Sequence, residues 1–293
     1  MMELVGEVSA VSKSNEFFNI VVKDNSGNLT NVKINDLGDI KIGNIYKFIL
    51  NKKEGERVSY SVISYISIDN FSLENKDKYL RDFYKKSPLS LEEEIKELKN
   101  YLSKIENKVI YDITNTLMNR YYVDFLTYPA ASKMHHAYVG GLAYHTIGML
   151  KLAESLKANY PYLKSDYLYA GVILHDIGKT KELSGNGDIT YTLEGQLLGH
   201  LVIGAMEINE VAKELGYQDK EEVLILEHMV VSHHGIAQYG SCRKPQTAEA
   251  MALWFIDTID SKFRLLGERL EQTPIGEWTD TIAVLEKGKI YNF

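Results

Sequence analysis

The 293-residue sequence contains a single cysteine, Cys242. That excludes an intramolecular disulfide and any zinc site built from cysteine, and it fits a reducing cytosol. No apolar run approaches the roughly 18 residues that a membrane span requires, so no membrane partner is expected. The opening MMELVGEVSAVSKSNEFF lacks a basic head followed by an apolar stretch. It does not read as a secretory leader, and a cytoplasmic location is expected. There is no internal repeat and no low-complexity tract. Positive charge is not in excess: 33 Lys and Arg stand against 40 Asp and Glu, a formal net charge of −7. That argues against strong non-specific binding to duplex nucleic acid. The first 104 residues are balanced, sixteen against sixteen, so the acidic excess falls in the remainder. Histidine is missing from the first 134 residues; all eight lie between positions 135 and 234.

What is present divides the chain. A length of 293 residues suits two domains, or a large helical domain with an accessory one. Residues 1–70 read as β: ELVGEVSAVSKS, FFNIVVKDNSGN, LTNVKIND, NIYKFILNKKEG and RVSYSVISYISI alternate with period two between turn signals at Asn25-Ser26-Gly27, Leu37-Gly38 and Glu54-Gly55. Five short strands suit a small barrel of the OB type, although an SH3-like barrel or a β-sandwich fragment fits the same pattern. Its functional reading is a platform for single-stranded nucleic acid, with bases stacked on aromatics such as Phe17 and Phe18 over a cationic groove. The plain alternative is a structural or oligomerising barrel whose aromatics are core. Residues 71–90 look like a connector, and Ser90 with Glu93 forms a capping-box signature for a helix to about Asn107. Beyond it the pattern predicts helices over 108–122, 139–158, 166–178 with Asp166 as its cap, 195–215, 219–234 and 246–266.

An ordered set of metal-ligand residue types lies on these helices: His145, His175-Asp176, His200, His233-His234 and Asp257. Leu142, His145, Met149, Leu152 and Leu156 share one face, so His145 points into the helical core. His175 and Asp176 are about 100° apart, and both reach one site only if their helix meets it edge-on near its C-terminus. His200 stands beside the Leu197–Leu201–Gly204 face. Val223, Leu226, Val230 and His233 form another stripe, with His234 next and Gly235 as the stop. Asp257 interrupts an apolar run from Ala250 to Ile256, a costly place for a carboxylate that is neither paired nor metal-bound. A lone histidine on a helix face is ordinarily a hydrogen-bonded core residue. Four inward histidines and two buried aspartates on five helices have a simpler common explanation in a metal cluster. Imidazole with carboxylate suits Mn, Fe, Co, Ni or Zn, and a carboxylate can bridge two ions.

His145, His175-Asp176 and Asp257 in this order, with VILHDIGK as the signature segment, resemble the HD-domain metallophosphohydrolases. The additional His200 and His233 look like the two-metal branch of that superfamily. The resemblance implies that His145, His175, Asp176 and Asp257 hold one ion and that Asp176 bridges. It implies that His200 and His233 hold the second ion, with His234 the competing choice, and the helical stripe favours His233. Metal-activated hydroxide would then attack phosphorus. Asp176 and Lys179 are the candidate catalytic residues. Lys179, one turn beyond the pair, is placed to meet a phosphate oxygen, to pair with a carboxylate, or to serve only as a helix C-terminal cation.

The match narrows further. KMHHAYVGGLAYHTIGML, HDIGK, GQLLGH, SHHG and YGSCRKPQTAEA before Asp257 are similar to the YhaM family of 3′→5′ exoribonucleases, in which an OB-fold precedes an HD domain. The resemblance covers nearly the whole chain. It implies an α+β multidomain fold: an OB-like barrel over 1–70, a connector and helix over 71–107, and an all-α HD-domain bundle over 108–293. It implies that His135 and His136 line the substrate cleft, with Arg243 and Lys244 as phosphate contacts; solvated loop charge is the alternative for the latter two. The chain departs from the family pattern at Trp254 and Ile256, where His and Ala are common, and at Tyr144, which replaces a commonly acidic residue. Asp260, one turn after Asp257, is placed to support a ligand from behind. The expected activity is release of nucleoside 5′-monophosphates from single-stranded RNA, with single-stranded DNA as a second polymer. Two divalent ions are expected, Mn²⁺ foremost, with Fe or Co also fitting the ligand set, and the chain is expected to be a homo-oligomer. The competing readings are an HD phosphodiesterase of a small or cyclic nucleotide, and a non-catalytic nucleic-acid-binding factor.

Overall fold

A computed structural model describes residues 1–54, 58–130, 138–185, 189–236, 240–285 and 287–293. The chain forms two compact units, Met1–Lys86 with Leu183–Thr192, and Ser87–Glu182 with Leu193–Phe293. No helix among the described residues is long and apolar enough to cross a membrane.

The first unit holds β1 (Met2–Lys13), β2 (Phe18–Lys23), β3 (Leu29–Ile34), β4 (Ile45–Lys53) and β5 (Ser59–Ser67), followed by α1 (Leu73–Phe83). The strands close into a barrel of order β1-β2-β3-β5-β4, with β1 pairing back onto β4. All pairs are antiparallel except β3 with β5. This five-stranded closure fits an OB arrangement. The period-two alternation has a direct cause: Val32 and Ile34, and Tyr46, Phe48 and Leu50, turn into the barrel core, while Lys33 and Lys53 face out. Extra residues on β1, between Val8 and Ala10, and on β5, between Val62 and Ser64, bend those strands as a small barrel requires. The short strands Leu183–Ser184 and Thr190–Tyr191, β6 and β7, form a separate two-stranded ladder.

The second unit is a helical bundle: α2 (Leu91–Leu102), α3 (Lys108–Arg120), α4 (Tyr122–Thr127), α5 (Gly141–Asn159), α6 (Ser165–Leu174), α7 (Lys179–Glu182), α8 (Leu193–Glu214), α9 (Glu221–Ser232) and α10 (Ala248–Glu271). The capping box is present in both directions: Ser90 Oγ accepts from Glu93 N, and Glu93 accepts from Ser90 N at 2.8 Å. That helix stops at Leu102, short of Asn107, which instead caps α3 by accepting from Ile110 N. Asp166 does not cap its own helix. It lies in the first turn of α6 and accepts the N–H groups of Glu106 and Asn107, tying α6 to the start of α3. Helix α6 is the axis of the unit. Every residue from Leu168 to Leu174 is buried, and α3, α5, α9 and α10 pack around it. A helix apolar all round has no solvent face, so it goes to the middle. The tail beyond α10 folds back on itself through antiparallel bridges Trp278↔Tyr291 and Ile282↔Gly288.

Candidate metal centre

Helix α6 ends at Leu174, and its last turn delivers two polar side chains into the centre of the bundle. His175 is fully buried and Asp176 is 3% exposed. Because the helix ends there, both neighbours reach the same place. The Asp176 carboxylate divides its contacts. Its Oδ2 is 3.1 Å from His175 Nε2 and 2.6 Å from Lys179 Nζ. Its Oδ1 faces His200 Nε2 at 3.4 Å and His233 Nε2 at 3.8 Å. From the other side, α5 brings His145, whose Nε2 is 3.2 Å from Asp257 Oδ1 on α10. His234 lies beside His200 and His233, with ring centroids 5.2 Å and 4.3 Å away.

The second nitrogen of each of four rings is tied down. His175 Nδ1 donates to the Val172 carbonyl at 2.7 Å and His233 Nδ1 to the Val230 carbonyl at 2.7 Å. His145 Nδ1 meets Asp260 Oδ2 at 2.8 Å, and His200 Nδ1 meets Glu182 Oε1 at 3.2 Å. A carbonyl oxygen only accepts, so His175 and His233 carry the proton on Nδ1 and present the Nε2 lone pair inward. An oxygen acceptor behind each ring is the arrangement that orients imidazoles as metal ligands.

His200 gets its place from a break in α8. Gly199 has φ 72° and ψ 157°, outside the helical region, so the helix kinks just before His200. Only glycine takes this conformation readily. The kink frees the His200 N–H, which donates to Glu182 Oε1 at 3.1 Å. A continuous helix over 195–215 would place Leu197 on the His200 face; with the kink, Leu197 is 74% exposed.

The electrostatics follow from burial opposed by close charges. Burial disfavours the charged Asp176, but the Lys179 ammonium and His175 outweigh it and hold the carboxyl well below its usual range. Asp257 is likewise held low, chiefly by His145 against the penalty of burial. Burial alone would push His145 down, yet hydrogen bonds to Asp257 and Asp260 push it up to about 9. Burial, with His175 and His234 nearby, pushes His233 well below the ordinary imidazole value, so that ring is neutral.

Among the described residues four buried side-chain atoms lack a hydrogen-bond partner, and apart from Ser241 Oγ they all lie here: His175 Nε2, Asp176 Oδ1 and His200 Nε2. Two lone-pair nitrogens and a carboxylate oxygen in one buried place are costly together, and a divalent cation satisfies all three. The donors fall into two groups whose ligand atoms lie within 4.8 Å of one another: His145, His175 and Asp176, and His200, His233 and His234. The residues present therefore fit a metal centre.

The structure brings together His145, His175, Asp176, His200, His233, His234 and Asp257. Lys179 takes the carboxylate, and donates as well to the Ala130 carbonyl at 2.7 Å. Arg243 and Lys244 are exposed on the segment leading into α10 and pair with no described residue. His135 and His136 lie outside the described residues. Sequence reasoning missed Glu182 and Arg264. Arg264 donates to Asp260 at 2.8 Å and lies over the ring of Tyr144 at 3.9 Å. Arg264 follows Asp260 by four residues, a legible helical pair; nothing local signals Glu182, whose partner depends on the kink.

An HD-domain family model matches residues 142–262, which span every residue of both donor groups. HD domains bind divalent metals, and this domain indicates a metal-dependent phosphohydrolase.

Proposed function

We propose that the protein is a metal-dependent 3′→5′ exoribonuclease that releases nucleoside 5′-monophosphates from single-stranded RNA. The observation that carries the hydrolytic part is the set of Nε2 atoms facing Asp176 and Asp257, each ring braced at Nδ1. His145, His175, Asp176 and Asp257 would hold one ion, Asp176 would also reach the second, and His200, His233 and His234 would complete it. Bound divalent ions, Mn²⁺ foremost, would make water nucleophilic at neutral pH and offset charge on the attacking and leaving oxygens. Lys179 keeps Asp176 ionised without competing for its Oδ1. The carbonyls of Val172 and Val230 keep two rings in the ligating tautomer.

Two features favour a polymer with a free end. The site lies deep: its buried members are His145, His175, Asp176 and His233, and the half-buried His200, Lys179 and Asp257 show only 14%, 16% and 19% side-chain exposure. A terminal nucleotide enters such a recess more readily than a phosphate in the middle of a strand. The barrel, for its part, carries Lys33 over the Phe17 ring at 4.6 Å and Lys13 near Phe18 at 5.6 Å, the pairing of cation and aromatic that suits single strands. Single-stranded DNA offers the same features. A homo-oligomer in the cytoplasm completes the proposal.

End-labelled single-stranded RNA incubated with Mn²⁺ tests the reading. A ladder shortening from the 3′ end, abolished by His175→Ala and Asp176→Ala, is expected. Intact RNA beside a hydrolysed cyclic dinucleotide would transfer the activity to a small substrate. No hydrolysis of either would reduce the protein to a binding factor.

A further inference from the structure

His145 differs from the other braced histidines. Its Nδ1 meets Asp260, a carboxylate only 6% exposed, whereas His175 and His233 lean on backbone carbonyls. An ionised acceptor makes the ring a stronger donor at Nε2 than a carbonyl does. An ionised Asp260 at that depth is costly unless a cation offsets it. Arg264 supplies the cation, its Nε at 2.8 Å from the same Oδ2 that serves His145. Arg264 is itself held: its guanidinium lies 3.9 Å over the ring of Tyr144, the residue preceding His145. Asp257, Asp260 and Arg264 follow at i, i+3 and i+7 on α10, so one helix face carries a ligand candidate, its neighbour's brace and the brace's counter-charge. The chain Tyr144–Arg264–Asp260–His145 therefore closes between α5 and α10.

We propose that Arg264, seated on Tyr144, is a positioning residue that sets how tightly His145 holds its metal ion. This rests on the metal-dependent reading above. Arg264 acts through Asp260 and needs no contact with the ion or the RNA. It also lines an open groove of about 500 Å³ with Gly148, Lys151, Leu152, Ser155, Ile259 and Phe263, so a shorter side chain there meets solvent and leaves no buried hole.

The test measures Mn²⁺ affinity and stoichiometry by chelator competition on full-length wild type, Arg264→Gln, Arg264→Lys and Tyr144→Leu, with thermal unfolding in chelator alongside. Removing a brace of this kind typically weakens binding by about 10–100-fold. We expect Arg264→Gln to weaken one of two sites by about ten-fold, with Arg264→Lys in between. RNA cleavage should fall at limiting Mn²⁺ and recover at saturating Mn²⁺. Tyr144→Leu should act in the same direction, and the Tyr144→Leu/Arg264→Gln pair should be no worse than Arg264→Gln alone. Affinity within two-fold of wild type in both Arg264 variants would overturn the proposal, as would a loss of thermal stability in chelator with unchanged Mn²⁺ binding. A wild-type protein that binds no Mn²⁺ would overturn the metal reading itself, a different failure.

Discussion

Replacing Gly178 by alanine should separate the two halves of the metal centre. Gly178 follows His175-Asp176 by two residues and packs against α8 where His200 enters the site. A Cβ at 178 would overlap the His200 carbonyl oxygen and lie 2.8 Å from Gly204 N and 2.9 Å from the His200 carbonyl carbon. Ordinary contact begins near 3.4 Å, and the obstructing atoms are backbone, which no rotamer change can move. Relief requires α8 to withdraw by on the order of 1 Å, against a tolerance of about 0.2 Å in a metal–ligand distance. His200 should therefore drop out of the group with His233 and His234, while His145, His175, Asp176 and Asp257 stay in register. Overpacking of this kind costs about 1–3 kcal/mol, or roughly 2–12 °C in Tm for a unit of this size. Elemental analysis of dialysed protein should give two ions for wild type and one for Gly178→Ala, with RNA cleavage lost. Gly267→Ala serves as control: nothing lies within 4 Å of a Cβ there, and the residue is inside α10. That variant should gain about 0.5–1 kcal/mol and keep both ions. Two ions bound at wild-type affinity by Gly178→Ala would refute the reasoning, because His200 would then tolerate a shift no ligand tolerates. Loss of both ions would refute the independence of the two groups.

Three further outcomes are expected. Chelation should lower Tm by roughly 5–10 °C, because ligand held at a hundred times its dissociation constant contributes about 2.7 kcal/mol that the empty site lacks; an unchanged Tm would show that the orphaned atoms need no ion. Glu207 is buried and accepts from Lys181 and Tyr121, with Arg120 at 3.5 Å. Burial raises its pKa, but those partners outweigh it and hold the carboxyl below its ordinary range. Its contribution is thus complete above the unfolded-state pKa and is lost as the pH falls through the lower folded value. Glu207→Gln should cost about 1–2 kcal/mol in urea unfolding at pH 7 and converge on wild type in acid; a gap that widens in acid would contradict the sign. In the barrel, Phe17→Ala with Lys33→Glu should weaken single-stranded RNA binding about ten-fold and lessen its salt dependence, with hydrolysis of a mononucleotide ester unchanged. Equal binding by this variant would assign those residues a structural role.

The sequence by itself determined which residues could be ligands, because burying four histidines and two aspartates along helical stripes leaves few inexpensive arrangements. It determined the barrel strands through period-two alternation, and the start of α2 through the Ser90–Glu93 box. These signals are local: each depends on residues within a turn or two, where backbone geometry fixes which side chains are neighbours. Tertiary structure decided the rest. It directed Asp166 to the start of α3 instead of its own helix, broke α8 at Gly199, and gave His200 its brace in Glu182. It joined Arg264 to His145 through Asp260, a link between α5 and α10 across 119 positions of chain. Helical periodicity says which way a side chain points; what it meets there is chosen by how close two backbones pack, and at Gly178 and His200 that distance has no trace in the spacing of either segment.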